Sequence, residues 1–276
     1  MSAHRRFPST PAPLFALSRR TRDLDSYRRK THMKISVIGT GNIGSQVIRS
    51  LARAGHEITI ANSRGPETLR ELADETGATP ATAHDAVRSG QVVILSVPFG
   101  KISAMRGLFA DVPASTIVAD MSNYYPIRDQ VIEGIDDTRA ESEWVSDQIG
   151  RRVVKAWNTV FSNTIATHGR PAGDPARIAL PVAGDDAQAK KVLMRLVEDT
   201  GFDAVDAGSL ADSWRLQPGS PVYCTDLQLE DLRAGLARAD RSRLVANREA
   251  EMRALVELGA GASMDDAVLA YRKVAG

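Results

Sequence analysis

The sequence predicts an α/β fold: a Rossmann-type doubly wound parallel sheet with extra C-terminal strands and an all-helical C-terminal tail. Near the start, Ile35-Ser36-Val37-Ile38 runs into Gly39-Thr40-Gly41-Asn42-Ile43-Gly44 and at once into an amphipathic helical run. From there to about residue 120, short apolar segments alternate with helical periodicity over short connections, as in a parallel sheet with crossover helices. After Pro218-Gly219-Ser220-Pro221 only helical periodicity remains.

The glycine stretch justifies the first strand and helix. Gly39 permits the tight turn, Gly41 leaves the backbone bare for a pyrophosphate, and Gly44 lets the helix sit close to the strand. The N-terminus of that helix offers free N–H groups to phosphate. Val47, Ile48, Leu51 and Ala52 carry its apolar face as far as Gly55. Gly39, Thr40, Gly41, Asn42, Ile43 and Gly44 are thus expected to bind a dinucleotide.

The second strand, residues 57–61, ends in Asn62-Ser63-Arg64-Gly65. NAD-selective sites place a carboxylate here for the ribose 2′-hydroxyl. This chain offers an amide, a hydroxyl and a guanidinium, and its first carboxylate is Glu67. Such groups attract a 2′-phosphate through charge-assisted hydrogen bonds. Asn62, Ser63 and Arg64, with Thr40, are therefore expected to select NADP(H).

Pro66 falls at the start of the next helix, whose buried face is Leu69, Leu72 and Ala73. A short strand follows near 78–81, then a small helix near 84–89. Residues 92–95 form an apolar strand ending in Ser96-Val97-Pro98, and residues 116–120 form another ending in Met121-Ser122-Asn123-Tyr124-Tyr125. Ligands of open α/β sheets sit beyond the carboxyl ends of strands, so these endings should flank the nicotinamide. A helix over 141–149 precedes a strand at 152–156 that exits through Trp157-Asn158-Thr159. Strands at 178–183 and 202–206 flank a helix over 187–200, and helices at 227–239, 244–258 and 264–274 make the tail. The expected division is 33–220 for the nucleotide-binding domain and 221–276 for the helical segment. Residues 1–32, rich in Arg and lacking periodicity, are read as a disordered extension or the product of an upstream start codon.

At 276 residues and net charge +1, no global field favours nucleic acid or an anionic membrane. Cys224 is the sole cysteine, which fits a reducing compartment. No apolar run approaches the roughly 20 residues needed to cross a bilayer. The expectation is a cytoplasmic protein with no membrane or nucleic-acid partner. His56, His84 and His168 show no ligand spacing, so no metal is expected.

GTGNIG with NSRGPETL, SVP after the fourth strand, VVKAWNTV, PVAGDD and DAGSL together resemble the F420-dependent NADP oxidoreductase family. That family is related to the reductase domain of six-transmembrane ferric reductases. The resemblance spans roughly 33–215. It implies hydride transfer between NADPH and a deazaflavin or flavin, with F420 or a flavin as co-substrate. By the same resemblance Thr40, Ser63 and Arg64 meet the 2′-phosphate, Val97 and Pro98 cover the nicotinamide, and Trp157, Asn158 and Thr159 line the acceptor face. The family often carries a His where this chain has Asn158.

The expected acceptor is a planar flavin or deazaflavin held by Asn123, Tyr124, Trp157, Asn158 and Thr159, a set of rings and amides without a charged pair. Tyr125 is a further candidate for stacking, and Trp214 and Arg215 for closing the site. Lys155-x-x-Asn158 echoes the Lys-x-x-Asn pair of β-hydroxyacid dehydrogenases. An imine or carbonyl reductase with Lys155 as proton donor is accordingly the alternative, and a non-catalytic NADP(H) sensor is another. The helical C-terminus is expected to serve a homodimer.

Overall fold

In the computed structural model, which describes residues 32–133, 135, 139–259 and 261–276, the apolar run after Lys34 forms the central strand β1 (Lys34–Ile38). The predicted extension, except its last residue, lies outside the described residues. Helix α1 (Asn42–Arg53) follows the glycine turn, then β2 (Glu57–Ala61), a 3-10 turn over Pro66–Leu69, α2 (Arg70–Thr76) and β3 (Thr79–Pro80). Helix α3 (Ala83–Ser89) leads to β4 (Val92–Leu95), a 3-10 helix over Phe99–Phe109 and β5 (Ile117–Asp120). Short α4 (Pro126–Asp129) and α5 (Glu141–Ile149) precede β6 (Val154–Lys155). The six strands are parallel in the order β3-β2-β1-β4-β5-β6, the doubly wound arrangement, with its crossover point between β1 and β4.

Both faces are covered. Val47, Ile48 and Leu51 of α1 pack on one face, joined by Ile165 of α6 (Ser162–Thr167) and Leu193, Leu196 and Val197 of α7 (Ala187–Asp199). On the other face lie Val87 of α3, Val145 and Ile149 of α5, and Phe99, Ile102 and Met105 of the 3-10 helix. The sequence reading gave no element to residues 99–109. Their apolar residues recur every three positions, so they eclipse on one side of a 3-10 helix and leave no 3.6-residue period to detect.

The extra strands β7 (Ala179–Val182) and β8 (Asp203–Asp206) pair parallel to each other. An antiparallel bridge between Lys155 and Ala183, with backbone bonds of 2.8 and 3.1 Å, ties them to β6. The tail comprises α8 (Leu229–Arg238), α9 (Leu244–Leu258) and α10 (Met264–Ala275). Residues 33–276, both sides of the predicted division at 220, lie within one compact unit.

Between β8 and α8 runs a strap, residues 217–225, that is buried at every position although it has no helix or strand. Buried irregular backbone needs partners, and α9 supplies them. Gly219 donates its N–H to Glu251 Oε2 at 2.9 Å and accepts from Asn247 Nδ2 at 3.0 Å. Gly219 has φ +88°, and a Cβ there would stand 2.1 Å from the Leu244 carbonyl oxygen. Glycine is required at that point.

Candidate functional site: a nucleotide cleft and a closed acceptor side

The glycine turn is shaped by close backbone approach. Gly39 has φ +103°, and a Cβ would lie 2.1 Å from the Ser96 carbonyl oxygen. A Cβ on Gly44 would meet the Gly39 carbonyl oxygen at 2.2 Å and Ser96 Oγ at 2.9 Å, so α1 abuts the β1–β4 crest only because that position is bare. Gly41 differs: nothing lies within 4 Å of its Cβ position, and as N-cap it brings no side chain to the first turn of α1. The open space and uncapped N–H groups suit an incoming pyrophosphate.

A cleft of about 670 Å³ opens over this turn, lined by Gly39, Thr40, Gly41, Asn62, Ser63, Arg64, Ser96, Val97 and Pro98. The structure thus brings nine of the expected cofactor residues together. Asn42 and Ile43 begin α1 beside the cleft, and Gly44 packs against Ser96. Asn62 shapes the loop: its Oδ1 accepts from the N–H of Arg64 at 2.9 Å and of Gly65 at 3.0 Å, while Nδ2 donates to Thr68 Oγ1 at 2.9 Å. The sequence reading missed Lys101, which also lines the cleft with Ala104, Met105 and Leu108. Arg64 and Lys101 are the charged lining residues, and both are cationic, which fits a phosphate-rich guest. The three-residue repeat over 99–108 was the signal that could have placed Lys101 there.

The side expected to take the acceptor is chemically different. At the carboxyl ends of β5 and β6, Lys155 Nζ lies 3.1 Å from Asp120 Oδ2, donates to the Ser122 carbonyl oxygen and stands 4.0 Å from Glu141 Oε2. The Lys155 and Asp120 side chains are fully buried, and that of Glu141 nearly so. Asp120 also accepts from Ser122 N–H, Ser122 Oγ and Ser142 Oγ, the last at 2.6 Å. Glu141 Oε2 accepts from Tyr124 N–H at 3.2 Å. Burial pushes the Glu141 carboxyl up to about 7, against the opposing pull of Lys155. Expected to be without a charged pair, this side holds one at its centre. That departs from the sequence reading because Asp120 and Glu141 converge on Lys155 only in three dimensions.

Asn123 and Asn158 form a reciprocal pair. Asn158 Nδ2 donates to Asn123 Oδ1 at 3.0 Å and to the Leu216 carbonyl oxygen at 2.6 Å, and Asn123 Nδ2 donates to the Asn158 carbonyl oxygen at 3.0 Å. Thr159 is buried beside them, and its carbonyl oxygen accepts from Cys224 N–H. Trp157 is not with them. Its indole is fully buried in the core and donates to Thr200 Oγ1 at 3.2 Å, a rotation that its φ of +55° makes by turning the chain after β6. Tyr124 is likewise buried, its ring beside Phe99 and its hydroxyl donating to the Gln130 carbonyl oxygen at 3.0 Å. Tyr125 bonds Tyr223 through their hydroxyls, and Trp214 stacks with Arg215. Neither Trp157 nor Tyr124 presents a ring to the cleft, because both complete the apolar layers against the sheet.

Two absences concern the described residues alone. Among them no helix is long and apolar enough to cross a membrane, and no group of three or more His, Cys, Asp or Glu is placed to hold a metal.

Comparison with known proteins gives a consistent picture. The family model for NADP oxidoreductase, coenzyme F420-dependent, matches residues 34–124. The putative protein YjhV of Escherichia coli is 52% identical over 63 residues, 22% of this chain and 46% of that protein. That match therefore spans less than half of the relative's length. The F420-dependent NADP reductase of Methanocaldococcus jannaschii is 26% identical over 219 residues, covering 69% of this chain and 90% of that one. Among solved structures, the hypothetical protein SMa0349 of Sinorhizobium meliloti superposes with a TM-score of 0.62 at 28% identity, over 74% of this chain and 99% of that one. The matched segment runs from β1 to the end of β5 and contains the whole glycine turn and the Asn62-Ser63-Arg64 loop. Over residues 34–124, the chain is similar to the F420-dependent NADP oxidoreductase family.

Proposed function

We propose that the protein is an NADPH-dependent oxidoreductase that moves a hydride between NADP(H) and a small-molecule acceptor, with a planar flavin or deazaflavin of the F420 kind as that acceptor. The observation that carries the reading is the cleft at the crossover point, with Arg64 and Lys101 lining it and the uncapped N-terminus of α1 at its floor. NADPH would supply the hydride. The chain would hold its 2′-phosphate with Ser63, Arg64 and Thr40, its pyrophosphate on the N–H groups of Gly41, Asn42 and Ile43, and its nicotinamide against Ser96, Val97 and Pro98. The role of the crest beyond is alignment and exclusion of water, which hydride transfer needs more than a protein acid.

NADPH oxidation with flavins, deazaflavins and quinones tests the reading. Turnover is expected with at least one flat acceptor; tight NADPH binding without turnover on any acceptor would favour the sensor instead.

A small imine or carbonyl remains the second reading, favoured by one observation: the acceptor side is enclosed and charged. Lys155 is not suited to be its proton donor. Asp120, the Ser122 carbonyl oxygen and Glu141 surround its ammonium, so its hydrogens point into the protein. The pairing of two chains through α9 and α10 is also proposed, supported by the exposed Val256, Leu258, Met264 and Leu269. A monomeric mass in solution would remove it.

A further inference from the structure

Two cations line the cleft over the glycine turn, and the fold gives them different places. The sheet order puts β1 between β2 and β4, so the glycine turn separates the Asn62-Ser63-Arg64 loop from the exit of β4. Arg64 stands on the first flank. Lys101 belongs to the second, one helical turn beyond Pro98, and both residues line the same cleft. The 3-10 helix that carries Lys101 continues past Ala104, Met105 and Leu108, which line the cleft together with Ala83 at the start of α3. At about three residues per turn, Pro98, Lys101 and Ala104 fall in one row. Along this wall come first the proline expected against the nicotinamide, then a cation, then an aliphatic slot fit for the flat face of a purine. A dinucleotide laid in that order has its diphosphate bridge at the cation.

The Lys101 side chain is exposed, yet its backbone is fixed. Its N–H donates to the Pro98 carbonyl oxygen at 2.9 Å, and the N–H of Gly100 donates to Asp129 Oδ1 at 3.1 Å. Phe99, Ile102 and Phe109 anchor the helix in the layer below, with Phe99 stacked on Trp144. Among the described residues no acid pairs with the Lys101 ammonium or the Arg64 guanidinium. The opposite wall has no such group to offer. From Gly39 to Ile48 there is no cationic side chain, and Arg49 beyond them is held by both oxygens of Glu75 at 2.6 and 2.7 Å. A pyrophosphate on the glycine turn therefore meets N–H groups from that side, and a full positive charge only from the facing wall.

We propose that Lys101 binds the diphosphate bridge of the cofactor, closing on it from the wall opposite the glycine turn, while Arg64 reads the 2′-phosphate. The inference rests on the proposed reading of the cleft as an NADP(H) site, and it separates two cations that otherwise look alike. The bridge is common to NADPH and NADH. Lys101 thus sets how tightly either dinucleotide binds, and Arg64 sets which of them is preferred.

The experiment is fluorescence titration with NADPH and NADH, and displacement by 2′-AMP, which has the 2′-phosphate and no bridge. Lys101→Gln should weaken both dinucleotides by the same factor, at least about tenfold for a lost contact to a charged group, and leave 2′-AMP unchanged. Lys101→Arg, which keeps the charge, should restore most of the affinity. The exposed position predicts an unaltered melting temperature in both variants. The fall of NADH affinity with rising salt should be shallower in Lys101→Gln than in the parent protein. A loss confined to NADPH and 2′-AMP would make Lys101 a second reader of the 2′-phosphate and overturn the proposal. Unchanged affinity for both dinucleotides, or an equal loss that Lys101→Arg does not restore, would overturn it too. Equal, charge-dependent loss in a protein that transfers hydride to no acceptor would keep the bridge contact and remove the reductase reading. Turnover with a flat acceptor, alongside unchanged dinucleotide affinity in Lys101→Gln, would do the reverse.

Discussion

Cofactor choice rests on single residues, and Arg64 is the one to test. It stands at the end of a loop that Asn62 holds by two backbone hydrogen bonds, so the guanidinium can be removed without releasing the loop. Arg64→Ala should weaken NADPH by roughly 1.5–3 kcal/mol, the range for a hydrogen bond to a charged group, and leave NADH nearly unchanged. Parallel fluorescence titrations with the two cofactors would decide. Equal loss for both would mean that Arg64 supports the loop instead of reading the phosphate. Asn62 is the contrast, since its carboxamide is spent on the turn and its replacement should harm both cofactors alike.

Among the elements, the glycine turn and the strap are opposite uses of one residue type. Gly41→Ala puts a methyl group into open space, so thermal stability should hold while NADPH affinity falls, because the methyl occupies the approach of the pyrophosphate. Gly219→Ala puts it against the Leu244 carbonyl oxygen at φ +88°, and should cost about 1–3 kcal/mol in a urea melt, more if α9 shifts. A stable Gly219→Ala protein would show that the strap is not held as tightly as its burial indicates. The same contrast explains what the sequence could disclose. The turn and the Asn62-Ser63-Arg64 loop are local: strand, turn, helix and next strand occupy 28 consecutive residues, Lys34 to Ala61, and their periods stand out. The buried charged cluster draws Asp120, Glu141 and Lys155 from three separate segments, and no spacing announces such a meeting. Lys155 in a short strand looked available for chemistry, and Trp157 beside it looked like a stacking ring. Lys155 is turned into the protein by its place in β6, and Trp157 by the positive φ that follows that strand.

At the scale of the whole molecule, the buried carboxyls set how stability responds to pH. Glu141 and Glu251 hold their protons in the folded protein to about 7 and about 8, whereas an unfolded Glu gives its proton up near 4.5. Between those values the folded state binds more protons than the unfolded one, so stability falls as pH rises. The contribution is complete below about 4.5 and lost as pH passes through the folded values. Around Glu141 stand Lys155, Asp120, Arg248 and Tyr125, and around Glu251 stand Arg248, Tyr125, Tyr271 and Cys224. Asp129, Asp206 and Asp212 act in the other sense, since hydrogen bonds and nearby cations hold them below the usual carboxylate range and their contribution is lost only in acid. A melt series from pH 5 to 8.5 therefore follows the raised carboxyls, with Asp226, which burial also pushes up, among them. The melting temperature of the ligand-free protein should decline across that range, and Glu251→Gln, whose amide does not titrate, should flatten the decline at its alkaline end. An identical slope in the variant would mean that Glu251 already ionises in the folded chain.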